Sequence, residues 1–526
     1  MSAKKDMTRR QFLAAGALAC GGLLLAWHLP GRRDALAATG GEWTPNAFLR
    51  VAPDGRVTII VNKSEMGQGV YTALPMLVAE ELCCDWKKVT VEASPVAPEY
   101  NHAQFGGFIL TGGSTSVRSE WERLSLAGAA AREMLIAAAA REWKVAPSAC
   151  RAQNGKVLGP GGRRLGFGAL AAKAAALPVP KEPKLKGGRS TLLGKPLHRL
   201  DSPAKVNGTA TFGIDVSAPG MLTCVLARPP VFGAKVKAFD PAGALAVSGV
   251  RQVVAVDAGV AVVADGFWPA LKGRAALTVE WDEGEGAAVS TPAIRAEYAR
   301  VAQTPGRVAR TEGDAAAALA GAARRFDADF EVPYLAHAPM EPLNCFVDLG
   351  ADRCVIRTGS QSQTMDRDAA ARAAGLKPEQ VSLETTFLGG GFGRRANPAS
   401  DFVVEAVQVA KAVKKPLKVI WTRQDDMRGG YYRPMYTSSP AAIRPAASAK
   451  WVSLRSRLRW PTLCSRRPAS ASVPCRSALT GCSRRRGRNR LTPASPRPSR
   501  RLHDRRLTPG RRRCGVTRKA PNLNAR

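Results

Sequence analysis

Three short glycine-rich segments constrain this chain more than any other feature of its sequence. They are Met66-Gly67-Gln68-Gly69, Thr111-Gly112-Gly113-Ser114-Thr115-Ser116 and Gly389-Gly390-Gly391-Phe392-Gly393-Arg394-Arg395. Each reads as a turn between a strand and a helix. Glycine lets the backbone take φ > 0 and approach a ligand closely. The helix that follows offers unpaired N–H groups and the positive end of its dipole. Gln68, Ser114, Thr115 and Ser116 add short polar groups, and Arg394 and Arg395 can neutralise a phosphate. Together the turns suit a bulky, polar, phosphate-bearing cofactor, with tight structural turns as the competing reading. None fits G-x-G-x-x-G after a strand or the P-loop pattern, so neither of those nucleotide sites is written here.

Around the turns the hydrophobic period switches repeatedly. Phe48 to Val61 reads as a hairpin turning at Pro53-Asp54-Gly55, and Val70 to Leu82 has helical spacing. Val89 to Glu92 reads as a strand, and Ser119 to Val145 as a long Ala-rich helix. Leu222 to Val263 is β-branched with regular turn signals. Strands are expected within Val332–Thr358, at Val381–Phe387 and at Lys418–Thr422, and helices at Asp366–Ala374 and Asp401–Val413. The class is α+β. The expected division is a leader at 1–37, a first segment at 46–176, and a linker at 177–198 around Pro178, Pro180 and Pro183. A small domain at 199–300, a larger one at 301–436 and a tail at 437–526 follow.

Composition matters at the two ends. The 526 residues carry a net charge of +36, which taken alone would point to nucleic acid. The excess is concentrated, because residues 437–526 hold 22 Arg and one acid, Asp504. The middle is only mildly basic, so nucleic acid is not an expected partner. At the other end, Arg9-Arg10-Gln11-Phe12-Leu13 leads an apolar run to Leu29 and an Ala35-Leu36-Ala37 cleavage pattern. The run is too short and glycine-broken for a spanning helix, and it reads as a twin-arginine export signal to the periplasm. Cysteines are scattered without C-x-x-C, so no zinc ribbon or iron–sulfur site is written, and Cys83-Cys84 reads as buried in a helix.

Glu65-Met66-Gly67-Gln68-Gly69, His337-Ala338-Pro339-Met340-Glu341-Pro342, Gln361-Ser362-Gln363 and Gly389-Gly390-Gly391-Phe392-Gly393 together resemble the molybdenum-binding large subunit of the xanthine oxidase family. Most members place the first of these segments after the last. The permuted order, with the leader, resembles the branch of isoquinoline 1-oxidoreductase β subunits and periplasmic aldehyde dehydrogenases. Arg199-Leu200-Asp201 through Gly213-Ile214-Asp215 looks like the opening of that family's hammerhead domain. The resemblance implies a cofactor-domain segment, a hammerhead domain and a cofactor-binding domain, in that order, with a disordered C-terminal tail.

It further implies a molybdenum-bearing molybdopterin, in the cytosine dinucleotide form, with no protein ligand to the metal. Gly67, Gln68, Gly69, Gly112, Gly113, Ser114, Thr115, Ser116, Gly389, Gly390, Gly391, Phe392, Gly393 and Arg394 would line the cofactor. Gln361 and Gln363 would stand near the metal's oxo group, and Glu65 beside the substrate. The implied reaction oxidises an N-heterocycle or an aldehyde with water as oxygen source. Electrons would pass to a small subunit with two 2Fe-2S clusters and on to an acceptor such as a cytochrome.

After Tyr436 the resemblance stops. The family's general-base glutamate lies in a G-x-G-E-P segment, and no such segment occurs in this sequence. The Arg/Ser/Pro-rich tail reads either as a shifted reading frame or as a basic arm. The expectation is a truncated, impaired hydroxylase subunit. The alternative is an exported, non-enzymatic protein whose cationic tail binds anionic polymers.

Overall fold

The computed structural model describes residues 43–308, 310–429 and 432–443. The expected leader at 1–37 and residues 444–526 of the expected tail lie outside the described residues.

Val57-Thr58-Ile59-Ile60-Val61 is β-branched at every position. It forms β3 (Val57–Val61), buried along its whole length. β1 (Trp43–Asn46), β2 (Leu49–Val51), β3 and β4 (Val89–Ala93) lie side by side in one sheet. β3 and β4 run parallel, which requires a crossover, and α1 (Val70–Leu82) supplies it. The helix ends one residue before the cysteine pair. Cys83 therefore stands in the left-handed region outside the helix, a correction to the sequence reading. α2 (Ser116–Trp143) crosses α1 at Gly128, where a Cβ would come within 2.4 Å of the Val78 carbonyl oxygen. A small sheet of β5 (Arg151–Gln153), β6 (Lys156–Leu158) and β7 (Arg164–Gly166) leads into α3 (Phe167–Ala175). Leu74, Leu77, Leu135 and Phe167 centre this first core.

The expected linker follows as a strap without helix or strand from 177 to 198. Glu80 of α1 holds it by accepting from the amides of Thr191, Leu192 and Leu193, at 3.0, 2.6 and 3.2 Å.

The second core is built on a seven-stranded sheet ordered β10-β11-β8-β17-β14-β15-β16. These are β8 (Leu222–Ala227), β10 (Val250–Val256), β11 (Gly259–Ala264), β14 (Asn344–Leu349), β15 (Cys354–Thr358), β16 (Val381–Thr385) and β17 (Leu417–Ile420). β9 (Lys235–Asp240) pairs with β12 (Thr278–Asp282) beside it. α4 (Phe267–Ala276), α5 (Gln363–Ala374) and α6 (Asp401–Val413) pack on the sheet.

This sheet takes strands from both of the expected ranges, 199–300 and 301–436. β8 lies inside the sheet, antiparallel to β11 and parallel to β17. Arg228 then reaches Glu405 of α6 through two 2.8 Å bonds and lies 3.7 Å over the Trp421 ring. β8 thus has one sheet partner from each of the two expected ranges.

β13 (Arg324–Val332) pairs antiparallel with β18 (Met435–Ile443), which runs through Tyr436 without a break.

Candidate functional site

The three glycine-rich turns meet where the two cores join. Gln361 does most of the joining. Its Nε2 donates to the Thr111 carbonyl at 2.9 Å, and its Oε1 accepts from the Gly393 amide at 3.1 Å. Its backbone accepts from Thr111 and donates to Arg395. Gln363 donates to Ser64 Oγ at 2.8 Å, and that hydroxyl donates to the Ser360 carbonyl at 2.6 Å. The Leu388 amide donates to the Glu65 carbonyl. At Gly391 a Cβ would lie 2.4 Å from Gln361 Oε1 and 3.0 Å from Met66 Sδ, so only glycine fits between Gln361 and the first turn. Gln361 and Gln363 thus act as stitches between segments. Gln361 uses both ends of its amide on backbone.

The turns are not equivalent. In the first, the Glu65 side chain is fully buried. Its carboxylate accepts from the amides of Gly67, Gly69 and Tyr71 at 2.8, 3.1 and 3.0 Å, and from Arg199 Nη2 at 2.9 Å. Gln68 folds back on its own turn, accepting from the Met66 amide and donating to the Ser64 carbonyl, each at 2.8 Å. This turn offers no free amide at Met66, Gly67 or Gly69. Glu65 organises the entry to α1, with both of its carboxylate oxygens accepting hydrogen bonds.

The second and third turns do offer donors. The amides of Gly112, Gly113, Ser114, Ser116, Val117 and Arg118, and those of Gly390, Gly391 and Phe392, have no acceptor among the described residues. Gly113 and Ser114 have φ of 63° and 54°. Successive positive-φ residues before a helix turn their N–H groups outward, and the α2 dipole adds positive potential there. No side chain caps α2.

Arg394 and Arg395 are engaged within the fold around the third turn. Both are almost entirely buried. Arg394 binds the two oxygens of Asp401 at 3.0 and 2.7 Å. Arg395 donates to the Gly390 and Gly359 carbonyls and to Glu341 Oε2 at 3.0 Å. Buried guanidinium groups require such partners.

Several participants carried no assigned role in the sequence reading. Glu341 ties the third turn to the chain after Phe212 through the Gly389 amide at 2.8 Å and the Ile214 amide at 3.0 Å. Its place in the Pro-Met-Glu-Pro motif was the available signal. Asp201 accepts from Arg199 and Lys205. Burial opposes its charge, but those two cations hold its carboxyl down at about 2. Beneath the second turn, Lys63 lies 3.2 Å from Glu120 with both side chains fully buried. Burial pulls the Lys63 pKa down to about 8 against the pull of Glu120. His337 stacks on Tyr432 with centroids 4.1 Å apart, and burial lowers its pKa.

A family profile described as a molybdopterin cofactor-binding domain matches residues 22–217, and a second of the same description matches residues 301–442. The second extends past Tyr436, in agreement with β18. Membrane-bound aldehyde dehydrogenase (pyrroloquinoline-quinone) of Gluconacetobacter polyoxogenes is 30% identical over 80% of this chain and 56% of its own length. The β subunit of isoquinoline 1-oxidoreductase from Brevundimonas diminuta is 32% identical over 74% of this chain and 56% of its own. A nicotinate dehydrogenase subunit from Pseudomonas putida is 27% identical over 72% of this chain and 32% of its own. The chain spans about half the length of the first two relatives. The first two glycine-rich turns lie within one matched segment and the third within the other, so the chain carries molybdopterin cofactor-binding domains on both sides of the junction where the turns meet.

Proposed function

We propose that the chain holds a molybdenum–molybdopterin cofactor across its second and third glycine-rich turns and serves a hydroxylase acting on aldehydes or N-heterocycles. The observation that carries this reading is the set of unengaged amides at Gly112–Ser114, Ser116–Arg118 and Gly390–Phe392, which converge through Gln361. Backbone N–H groups at a helix N-terminus suit phosphate oxygens, and they fit the anionic part of such a cofactor without a protein ligand to the metal. The first turn supports from behind, through Glu65. When bound, the group supplies two-electron oxidation with water as oxygen source.

The finer form of the reading is a cytosine dinucleotide cofactor, whose extra phosphate would use the α2 amides. It includes a partner subunit with 2Fe-2S clusters, a cytochrome-type acceptor and export to the periplasm by the Arg9-Arg10 signal. Cofactor retention and turnover are separable, and retention is the sharper test. The full chain, coexpressed with an iron–sulfur partner in molybdate-supplied cells, is purified and assayed for molybdenum and for released pterin. Near-equimolar amounts of both are expected. Protein free of both would refute the reading and favour the non-enzymatic alternative.

A further inference from the structure

The first glycine-rich turn is held in an unusual shape by something other than local packing. Gly67 and Gly69 have φ of 110° and 89°, and no atom stands within 4 Å of a Cβ built on either. The shape rests on Glu65, whose carboxylate gathers the amides of Gly67, Gly69 and Tyr71. A buried carboxylate needs a cationic partner. That partner comes from 134 residues away, where Arg199 Nη2 donates to Glu65 Oε1 at 2.9 Å.

The same guanidinium holds the turn a second time, because Arg199 Nη1 donates to the Gly67 carbonyl at 2.8 Å. Asp201 orients it by accepting from Nε and Nη2 at 2.9 and 2.6 Å. Lys205 braces Asp201 at 2.5 Å and lies 3.8 Å from Glu65. The Leu200 amide donates to Thr72 Oγ1 at 3.0 Å and fixes the latch to α1 itself. Arg199 is thus connected to the carboxylate that organises the turn, to the turn's own carbonyl and to a second acid.

We propose that Arg199 is a positioning residue. Braced by Asp201 and Lys205, it latches the Glu65–Gly69 turn and so sets the wall against which the cofactor of the proposed function is held. This rests on that reading for its consequence at the cofactor, though not for the latch itself. Lysine cannot replace Arg199, since a single ammonium cannot span Glu65, the Gly67 carbonyl and both oxygens of Asp201 in fixed directions.

The test uses the full chain, coexpressed as above, as wild type, Arg199→Gln, Arg199→Lys and Glu65→Gln. Arg251→Gln, which breaks an exposed pair with Asp265, serves as control. Amide hydrogen exchange is followed in peptides covering Glu65–Tyr71, Thr111–Ser116 and Gly389–Arg395, and pterin release is timed by fluorescence. Arg199→Gln is expected to speed exchange about tenfold or more in the first peptide alone and to shorten pterin retention about tenfold. Lysine should leave the melting temperature near wild type and restore neither readout. Unchanged exchange at Glu65–Tyr71, equal acceleration in all three peptides, or rescue by lysine would each overturn the proposal. If wild type carries no pterin, the proposed function fails while the exchange measurement still decides the latch.

Discussion

At the scale of single residues, His102 fixes the geometry of the second turn by its choice of tautomer. Its Nδ1 accepts from the amides of Gln104 and Phe105 at 3.1 and 3.2 Å. A nitrogen that accepts carries no proton, so the proton lies on Nε2 and is donated to Thr115 Oγ1 at 2.7 Å. Thr115 in turn donates to the Gly112 carbonyl at 2.8 Å. Protonating Nδ1 would set a third donor against two amides. Burial, helped by the nearby Lys63 charge, lowers the His102 pKa to about 4, while Glu120 pulls the other way. In the unfolded chain a histidine titrates near 6.5, so the unfolded state binds more protons between about 4 and 6.5. Stability from this site is therefore full above that window and is lost as pH falls through it. His102→Gln should cost about 1–2 kcal/mol at pH 7 through lost hydrogen bonds. It should also reduce the drop in urea midpoint between pH 7 and pH 5. A variant that shows the wild-type drop would sink the assignment.

At the scale of elements, the crossing of α1 and α2 is set by one missing side chain. Gly128 lets the Val78 carbonyl approach to where a Cβ would stand 2.4 Å away, and Glu81 Cβ 3.1 Å away. Backbone cannot yield as a flexible side chain does. Gly128→Ala, although it favours helix locally, should destabilise by about 1–3 kcal/mol through overpacking. Thermal or urea unfolding checks this, and a stabilised variant would mean the helices separate freely. Gly391→Ala acts at the other junction, where the new Cβ would displace Gln361 from Gly393. We expect lower cofactor content with little change in circular dichroism, and full molybdenum loading would contradict it. The elements themselves were legible. β-branched Val57–Val61 and the apolar spacing of Val70–Leu82 read correctly because local period follows directly from which face is buried. Which turn keeps its amides free was not legible. That depends on Arg199 reaching Glu65 across 134 residues and on Asp401 and Glu341 capturing Arg394 and Arg395. No spacing rule encodes such pairings.

At the scale of the whole molecule, the resemblance led to a small domain at 199–300, and one sheet draws strands from that range and from 301–436. The β10, β11 and β8 strands have the length and β-branched content of an independent unit, and β11 is buried along its whole length. What the sequence could not reveal is the neighbour of β8. Leu222, Thr223 and Cys224 pair in parallel with Leu417, Lys418 and Val419. Parallel pairing between such distant segments needs a long crossover connection and is not signalled by local sequence period. Cys224 and Leu226 then belong to the same core as Phe402 and Val407. Glu405 is fully buried and engages Arg228 and Trp421 together. Separating the two halves would break the Arg228–Glu405 pair and open the shared core around it. Residues 199–300 expressed alone should therefore lack a cooperative thermal transition. In the full chain, Glu405→Gln should lower the stability of both halves of the sheet together. Hydrogen exchange can separate the outcomes. Matched acceleration in β8 and β17 is expected. Protection of β8 that survives in the excised fragment would instead establish 199–300 as a domain in its own right.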